Sequence, residues 1–336
     1  MIGKRTSHRR KNTLAILTVF VVLVSMTTTA VSAKEGGSEK NFISFQALNS
    51  ETTFVLGTDG KLWYTPGPFG QVPNPKRIQV DGNVRDFQAV DSNNVFVLGT
   101  DGKLWYTPGP FGQVPNPTRI QIDGNVQTFQ AVDSNNVFVL ETDGKLLYIP
   151  GPFGQVPNPK HTQVDGNVQT FQAVDSNNIF VLGTDGKLWY IPGPFGQIPN
   201  PTRVQVDGNV KSFQALSPEI TFVLGIDGKL WYIPGPFGQI PNPMRVQVDG
   251  NVKGFQALNH ETTFVLGTDG KLWYTPGPFT QVPNPQRIQV DGNVQAFQAV
   301  DSNNVFVLGT DGNLWYTPKP FGKVPNPKRL QVDSNV

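Results

Sequence analysis

Four side chains that could bind a ligand recur in this 336-residue chain at a constant spacing of 42 residues. A tryptophan and an arginine flank the segment "TPGPFGQVPNP", which itself carries a phenylalanine and an asparagine. An aromatic ring can stack on the apolar face of a sugar, and the planar fork of arginine can donate to sugar hydroxyls or to carboxylates. The candidate ligand-binding residues are Trp63, Phe69, Asn74 and Arg77; Trp105, Phe111, Asn116 and Arg119; Trp189, Phe195, Asn200 and Arg203; Trp231, Phe237, Asn242 and Arg245; Trp273, Phe279, Asn284 and Arg287; and Trp315, Phe321, Asn326 and Arg329.

Residues for catalysis or for metal binding are scarce by comparison. Only His161 and His260 follow residue 33, and they occupy non-equivalent places in different repeats, so no histidine-centred triad or metal cluster is predicted. The glutamates within the repeats occur singly, the aspartates at Asp59 and Asp81 precede turn glycines, and the chain has no cysteine. We therefore expect no enzyme activity, no cofactor and no metal.

The repeat predicts four short strands in each unit. In the second unit these are 87–91, 95–100, 103–107 and 119–123, and Asp101-Gly102 is typical of a two-residue hairpin turn. The prolines of "PGPFGQVPNP" exclude a helix and leave a long connection between the third and fourth strands.

Seven such units fit between residue 41 and the C-terminal residue 336 without insertion. The consecutive apolar residues Phe96, Val97 and Leu98 predict a strand that is buried on both faces, and stacking each sheet between like sheets would bury it. Four strands in about 40 to 50 residues indicate an all-β, seven-bladed β-propeller of four-stranded antiparallel blades. A linear solenoid is the alternative, but the end units look like the middle ones, which favours a closed ring without caps.

The core "VFVLGTDGKLW" resembles the repeats of tectonin and tachylectin-like β-propellers, and more distantly those of the chromosome-condensation regulators. The resemblance covers residues 41–336. It implies a carbohydrate-binding, lectin-like propeller with sites repeated around the ring. The "PGPFGQVPNP" segment departs from that family, so its sugar contacts do not transfer to these residues.

Residues 1–33 are predicted to form a cleaved secretory signal, followed by a short lead at 34–40. Basic residues precede an apolar run at 14–24, and Val31 and Ala33 suit the positions before a cleavage site. An apolar run of eleven residues is too short to cross a bilayer, so no stable membrane anchor is expected. The signal holds five of the 27 Lys and Arg and none of the 25 Asp and Glu, which leaves 22 basic and 25 acidic residues and gives no basic surface for nucleic acid.

Each candidate position has a structural interpretation beside the ligand-binding one. The tryptophan could pack between blades, the arginine could pair with a turn aspartate of the adjacent blade, and the phenylalanine could fold back as a plug over its own blade. The third unit separates these roles, because it has Leu147 for Trp, Glu141 for Gly and His161 for Arg but keeps "PGPFGQVPNP".

The sequence as a whole predicts a secreted multivalent protein that binds glycans or a cell-surface polysaccharide at six or seven equivalent sites. A structural or protein-interaction propeller that uses its proline-rich loops is the second hypothesis. A polysaccharide-active hydrolase or lyase is the third.

Overall fold

The computed structural model describes residues 42–49, 51–67, 76–112, 118–153, 160–196, 202–237, 245–279 and 286–333. All of them lie in the unit Asn41–Val336. They form seven four-stranded antiparallel sheets, each built from four strands that are consecutive in the chain. No helix occurs among the described residues. The predicted all-β, seven-bladed propeller is therefore confirmed, and we number its blades 1 to 7 in chain order.

The first and second strands of each blade form a hairpin. The first strands are β1 (Phe42–Asn49), β5 (Val84–Asp91), β9 (Val126–Asp133), β13 (Val168–Asp175), β17 (Val210–Ser217), β21 (Val252–Asn259) and β25 (Val294–Asp301). The second strands are β2 (Thr52–Gly57), β6 (Asn94–Gly99), β10 (Asn136–Glu141), β14 (Asn178–Gly183), β18 (Ile220–Gly225), β22 (Thr262–Gly267) and β26 (Asn304–Gly309). First strands of consecutive blades contact one another, which places them on the inside of the propeller.

The third and fourth strands complete each blade toward the outside. The third strands are β3 (Leu62–Pro66), β7 (Leu104–Pro108), β11 (Leu146–Pro150), β15 (Leu188–Pro192), β19 (Leu230–Pro234), β23 (Leu272–Pro276) and β27 (Leu314–Pro318). The fourth strands are β4 (Ile78–Asp81), β8 (Ile120–Asp123), β12 (Thr162–Asp165), β16 (Val204–Asp207), β20 (Val246–Asp249), β24 (Ile288–Asp291) and β28 (Leu330–Asp333).

The Asp-Gly turns have the geometry that the sequence predicts. Gly102 joins β6 to β7 with a φ of 76°, a left-handed conformation that glycine adopts without a steric penalty. The carboxylate of Asp101 accepts a hydrogen bond from the backbone N–H of Lys103 at 3.1 Å. This aspartate thus has a role in the turn that needs no metal.

The apolar core lies between blades as well as within them. Phe96, Val97 and Leu98 of β6 are each at most 1% exposed, so the strand is buried on both faces as predicted. The core residues group across neighbouring blades, with Phe96 of blade 2 in one cluster with Val139 of blade 3. Each blade is therefore stabilised by the blade beside it.

A glutamine on each inner strand also joins consecutive blades. Gln46 Nε2 donates to the carbonyl of Ala89 at 2.7 Å, and the Ala89 N–H donates back to Gln46 Oε1 at 2.9 Å. The same two bonds occur at all six junctions from blades 1/2 to blades 6/7. A side-chain amide satisfies one backbone donor and one backbone acceptor in this way.

On the face of blade 7 that points away from blade 6, side chains are exposed that are buried in the other blades. Val332 is 52% exposed, whereas its equivalent Val290 in blade 6 is fully buried. The equivalent glutamine, Gln298, is exposed, and its side chain bonds to no residue in the described part of the chain. The six junctions between consecutive blades are thus the ones whose contacts the structure defines.

Candidate functional site

Four of the six described phenylalanines of the proline-rich loops lie inside the protein. Phe153, Phe195, Phe237 and Phe279 are at most 1% exposed. Phe153 of blade 3 meets the Phe96 ring of blade 2 edge-on, with ring centroids 5.5 Å apart, and also contacts Tyr106 of that blade. Each described loop phenylalanine therefore plugs the preceding blade, not its own.

This burial corrects the ligand-binding prediction for the phenylalanine. A ring that is at most 1% exposed offers no face to a ligand, so Phe195, Phe237 and Phe279 are core residues. Phe111 and Phe321 are half-buried and make the same edge-on contact with the preceding blade. Phe69 lies outside the described residues.

The loop asparagine is described only in blade 7. Asn326 is 2% exposed, and its side-chain amide donates to the carbonyl of Pro318 at 2.7 Å and accepts from the Lys328 N–H at 2.9 Å. These bonds hold the loop in shape, and they correct the prediction of ligand contact for Asn326. The other candidates, Asn74, Asn116, Asn200, Asn242 and Asn284, lie outside the described residues.

In every blade except blade 3, the tryptophan and the arginine form a stack. The guanidinium carbon of Arg245 lies 4.2 Å from the centre of the Trp231 ring, and equivalent stacks at 4.2 to 4.4 Å occur in blades 1, 2, 4, 6 and 7. Trp231 is half-buried and also packs against the core between blades 4 and 5. The indole thus packs between blades while supporting an arginine.

The arginine then reaches the preceding blade. Arg245 Nη1 lies 3.0 Å from a carboxylate oxygen of Asp207, the turn aspartate that ends the fourth strand of blade 4. Equivalent pairs join Arg119 to Asp81, Arg203 to Asp165, Arg287 to Asp249 and Arg329 to Asp291, at 2.7 to 3.5 Å. The predicted pairing of this arginine with a turn aspartate of the adjacent blade is confirmed at these five junctions.

The two partners of this ion pair differ in exposure. The aspartate side chains are 3 to 13% exposed, while the arginine side chains are 28 to 46% exposed. The carboxylate also accepts from the next N–H in the turn, as Asp207 does from Gly208 at 2.8 Å. The aspartate is therefore largely buried and held in place by hydrogen bonds, and the arginine extends from it into solvent.

The guanidinium keeps donors for another partner. At each of the five junctions the hydrogen bonds of the arginine to described residues use Nη1 alone. The Nε and Nη2 donors can therefore bond to hydroxyl or carboxylate oxygens of a ligand, with the indole edge as a wall. We name this arrangement of Trp, Arg and Asp the rim step.

The junction between blades 2 and 3 has no rim step. Leu147 is 7% exposed and packs into the core, where it takes the place of the tryptophan. His161 takes the place of the arginine, and its Nδ1 lies 4.0 Å from Asp123 Oδ2. The sequence identified both substitutions, but it did not show that His161 lies beside Asp123.

The described residues contain no group of three or more His, Asp or Glu that could hold a metal ion. In the same part of the chain, no helix is long and apolar enough to cross a membrane.

Comparison with solved structures supports the fold. The computationally designed protein Ika8 has 17% identity and a TM-score of 0.56, over 80% of this chain and 81% of that one. YCF48 from Cyanidioschyzon merolae has 12% identity and a TM-score of 0.51, over 80% of this chain and 91% of that one. At these identities the likeness shows the fold alone.

Prp20p from Saccharomyces cerevisiae, a protein described by its binding to Gsp1p and histones, has 14% identity over 73% of this chain and 76% of its own. Its TM-score of 0.45 is too low to support an argument from it. No protein-family model matches the chain, and no curated protein matches it.

Proposed function

We propose that the chain is a non-catalytic, multivalent binding protein that takes carbohydrate at its rim steps. The observation that carries this proposal is the repeated, half-exposed arginine, which an aspartate and an indole hold in place while its Nε and Nη2 groups donate to no described residue. Hydroxyl groups of a glycan and carboxylates of an acidic polysaccharide are both acceptors for such a fork. The resemblance to tectonin-type repeats supports the same class of ligand.

The geometry changes the expected mode of sugar binding. One face of each indole lies under a guanidinium, so a sugar cannot stack on that face. The arginine therefore makes the main contact and the indole edge supports it. Six Trp–Arg stacks, in every blade except blade 3, favour avidity, because weak sites on one rigid frame can engage a single polymer surface together.

Glycan-array screening followed by calorimetry tests this proposal. We expect one class of about five weak sites, one at each junction with a complete rim step, and the stoichiometry should fall by about one in Arg245→Ala. Lys229→Ala, on an exposed hairpin turn, is the matched control and should leave the stoichiometry unchanged. Absence of binding to every glycan and cell-wall polymer would refute the carbohydrate assignment.

A protein partner is the second candidate, because the same guanidinium donors can bind carboxylates of an acidic peptide. Capture of binding partners from culture supernatant or from the cell envelope separates the two. Free sugar should release a glycan ligand, and it should leave a protein complex intact.

Export by the N-terminal segment belongs to the same proposal. N-terminal sequencing of protein recovered from the medium should begin at Lys34. Recovery of the protein only from inside the cell would contradict secretion.

A further inference from the structure

Each junction between consecutive blades joins two different faces of the repeat. At the junction between blades 1 and 2, blade 1 contributes a forward face, which we define as Phe54, Leu56, Leu62 and Val80. Blade 2 contributes a rear face, which we define as Phe87, Ala89, Val95 and Val97. The equivalent residues of blades 6 and 7 form one buried cluster in the same way. Every blade thus has a forward face for the next blade and a rear face for the preceding one.

The forward face of blade 7 is uncovered. Phe306 is half-buried, whereas its equivalents in blades 1 to 6 are all fully buried. Leu308 and Leu314 are also half-buried, although the same leucines are buried in the six other blades. Val332, the last residue of this face, is 52% exposed. Val300 is 54% exposed, while its equivalent in blade 1 packs in the cluster between blades 1 and 2. A whole apolar sheet face is therefore open to solvent.

The rear face of blade 1 is uncovered as well. Ala47 is exposed, whereas its equivalents in blades 2 to 7 are all buried. Phe45 is 61% exposed, and the equivalent phenylalanine of blade 2 is buried. Val55 is half-buried, and the same valine is buried in the six other blades. One chain thus exposes both halves of a junction that it forms six times elsewhere.

The polar contact of the junction is also divided between these two faces. At each described junction, a glutamine of one blade exchanges two hydrogen bonds with the backbone of the alanine that begins the contact in the next blade. Gln298 of blade 7 is exposed and bonds to no residue in the described part of the chain. Ala47 of blade 1 is the alanine at the matching position, and no described glutamine bonds to it. The two faces therefore match in hydrogen bonding as well as in apolar side chains.

We propose that the forward face of blade 7 binds the rear face of blade 1 in a second copy of this chain. All six junctions within the chain are formed, and the two faces are still exposed. Bringing them together in one chain would require packed junctions to rearrange, which close-packed cores resist. A second copy supplies the matching face without any such change.

This contact would join chains head to tail. The two copies use different surfaces, so each added chain still offers one free face of each kind. The interface would repeat the packing that already holds consecutive blades together, with Phe306 and Val332 covered by Ala47 and Val55 of the other copy. Burial of exposed apolar side chains supplies the driving force for the association.

Sedimentation equilibrium of the purified protein, with no glycan present, tests this proposal. We expect the average mass to rise above that of one chain as the protein concentration increases. Val332→Glu should weaken the association by about tenfold or more, because the interface would bury an unpaired carboxylate. Ile226→Glu is the matched control, since Ile226 is 69% exposed on a hairpin turn of blade 5, away from both faces. This control should associate as the wild type does.

A mixing experiment tests the head-to-tail arrangement itself. Ala47→Glu alters only the rear face of blade 1, and Val332→Glu alters only the forward face of blade 7. Each variant alone should be largely monomeric, whereas an equal mixture should form a complex of two chains and nothing larger, because one intact face of each kind remains. Both side chains are exposed in the single chain, so the variants should keep the wild-type unfolding transition.

Three results would overturn the proposal. A wild type that remains a single chain at the highest soluble concentration would mean that no second copy binds these faces. Undiminished association of Val332→Glu would place the contact elsewhere on the surface. Failure of the two variants to combine would mean that unlike faces do not pair. None of these outcomes depends on carbohydrate binding at the rim steps, so the two proposals fail separately.

Discussion

The junction between blades 2 and 3 and the junction between blades 4 and 5 share their inner contacts and differ at the outer strands. Both have the paired glutamine bonds on the inner strands and a loop phenylalanine in the preceding blade's core. Only the second has the stack of Trp231 and Arg245 with the ion pair to Asp207. The contacts that both junctions keep are buried, and the contact that one has lost is half-exposed.

The glutamine and phenylalanine contacts therefore belong to the architecture of the propeller, whereas the Trp–Arg–Asp contact is not required for it. Blade 3 retains its four strands and its place in the sheet order although it lacks both Trp and Arg. The rim step is therefore not needed for the blade to form. A half-exposed ion pair contributes little to folding, which leaves its residues available for binding.

Removal of a loop phenylalanine should have the largest effect, and the same effect at both junctions. Phe153→Ala and Phe237→Ala should each lower the free energy of unfolding by about 3–5 kcal/mol, because each leaves a cavity in the preceding blade. Chemical denaturation followed by tryptophan fluorescence measures this loss. A cost below about 1 kcal/mol at either site would show that the ring is not a plug.

Truncation at the outer strands should affect only one of the two junctions. Arg245→Ala leaves Asp207 without its cation and should cost about 1–2 kcal/mol, a modest value because the arginine is 46% exposed. His161→Ala should cost less than about 1 kcal/mol, since it removes one half-exposed contact with the Ile122 carbonyl, and His161 Nδ1 lies 4.0 Å from Asp123 Oδ2, beyond hydrogen-bond distance. Equal losses in the two variants would break the comparison.

Blade 2 has a buried threonine where blade 3 has an isoleucine, and at this position blade 3 has the residue that favours stability. Thr107 is fully buried, and its Oγ1 has no hydrogen-bond partner among the described residues, while blade 3 has the buried Ile149 at this position. Thr107→Val should therefore raise the free energy of unfolding by about 1 kcal/mol, because it removes an unsatisfied hydroxyl without changing the volume. Thermal unfolding measures this gain, and a loss of stability would mean that the hydroxyl has a partner.

The smallest expected effect is a pH dependence confined to blade 3. The pKa of Glu141 is raised by burial, so its protonated form favours the folded state, and that contribution is lost as pH rises through the raised pKa. Glu141→Gln lacks this titration. The Tm of the wild type should therefore fall relative to that of Glu141→Gln as the pH rises above about 4.5, the ordinary pKa of a glutamate. Parallel Tm curves for the two proteins would contradict the burial of Glu141.

Most of the fold follows from the sequence, because hairpin turns and alternating burial are local properties. The strand predicted at 103–107 corresponds to Leu104–Pro108, and the strand predicted at 87–91 begins earlier, at Val84. That extension was missed because Val84 pairs with Gly99 across an irregularity that the local pattern does not show.

The site was predicted less completely, because its contacts join different units. The aspartate partner of the arginine was foreseen, since a charge at the surface of a repeat finds its opposite on the neighbouring copy. The phenylalanine was expected over its own blade and lies in the preceding one, a choice that depends on the path of the loop. The glutamine bonds between blades were not predicted at all, because one glutamine per repeat gives no sign of its partner.

Because each loop phenylalanine packs in the preceding blade, the blades can complete their folding only in a fixed order. Phe195 of blade 4 fills the core beside Phe138 of blade 3, so a growing chain cannot finish blade 3 until the loop of blade 4 has been made. The other blades from 1 to 6 likewise need a loop phenylalanine of the next blade to complete their cores. Folding during translation or export would therefore advance one blade behind the emerging chain.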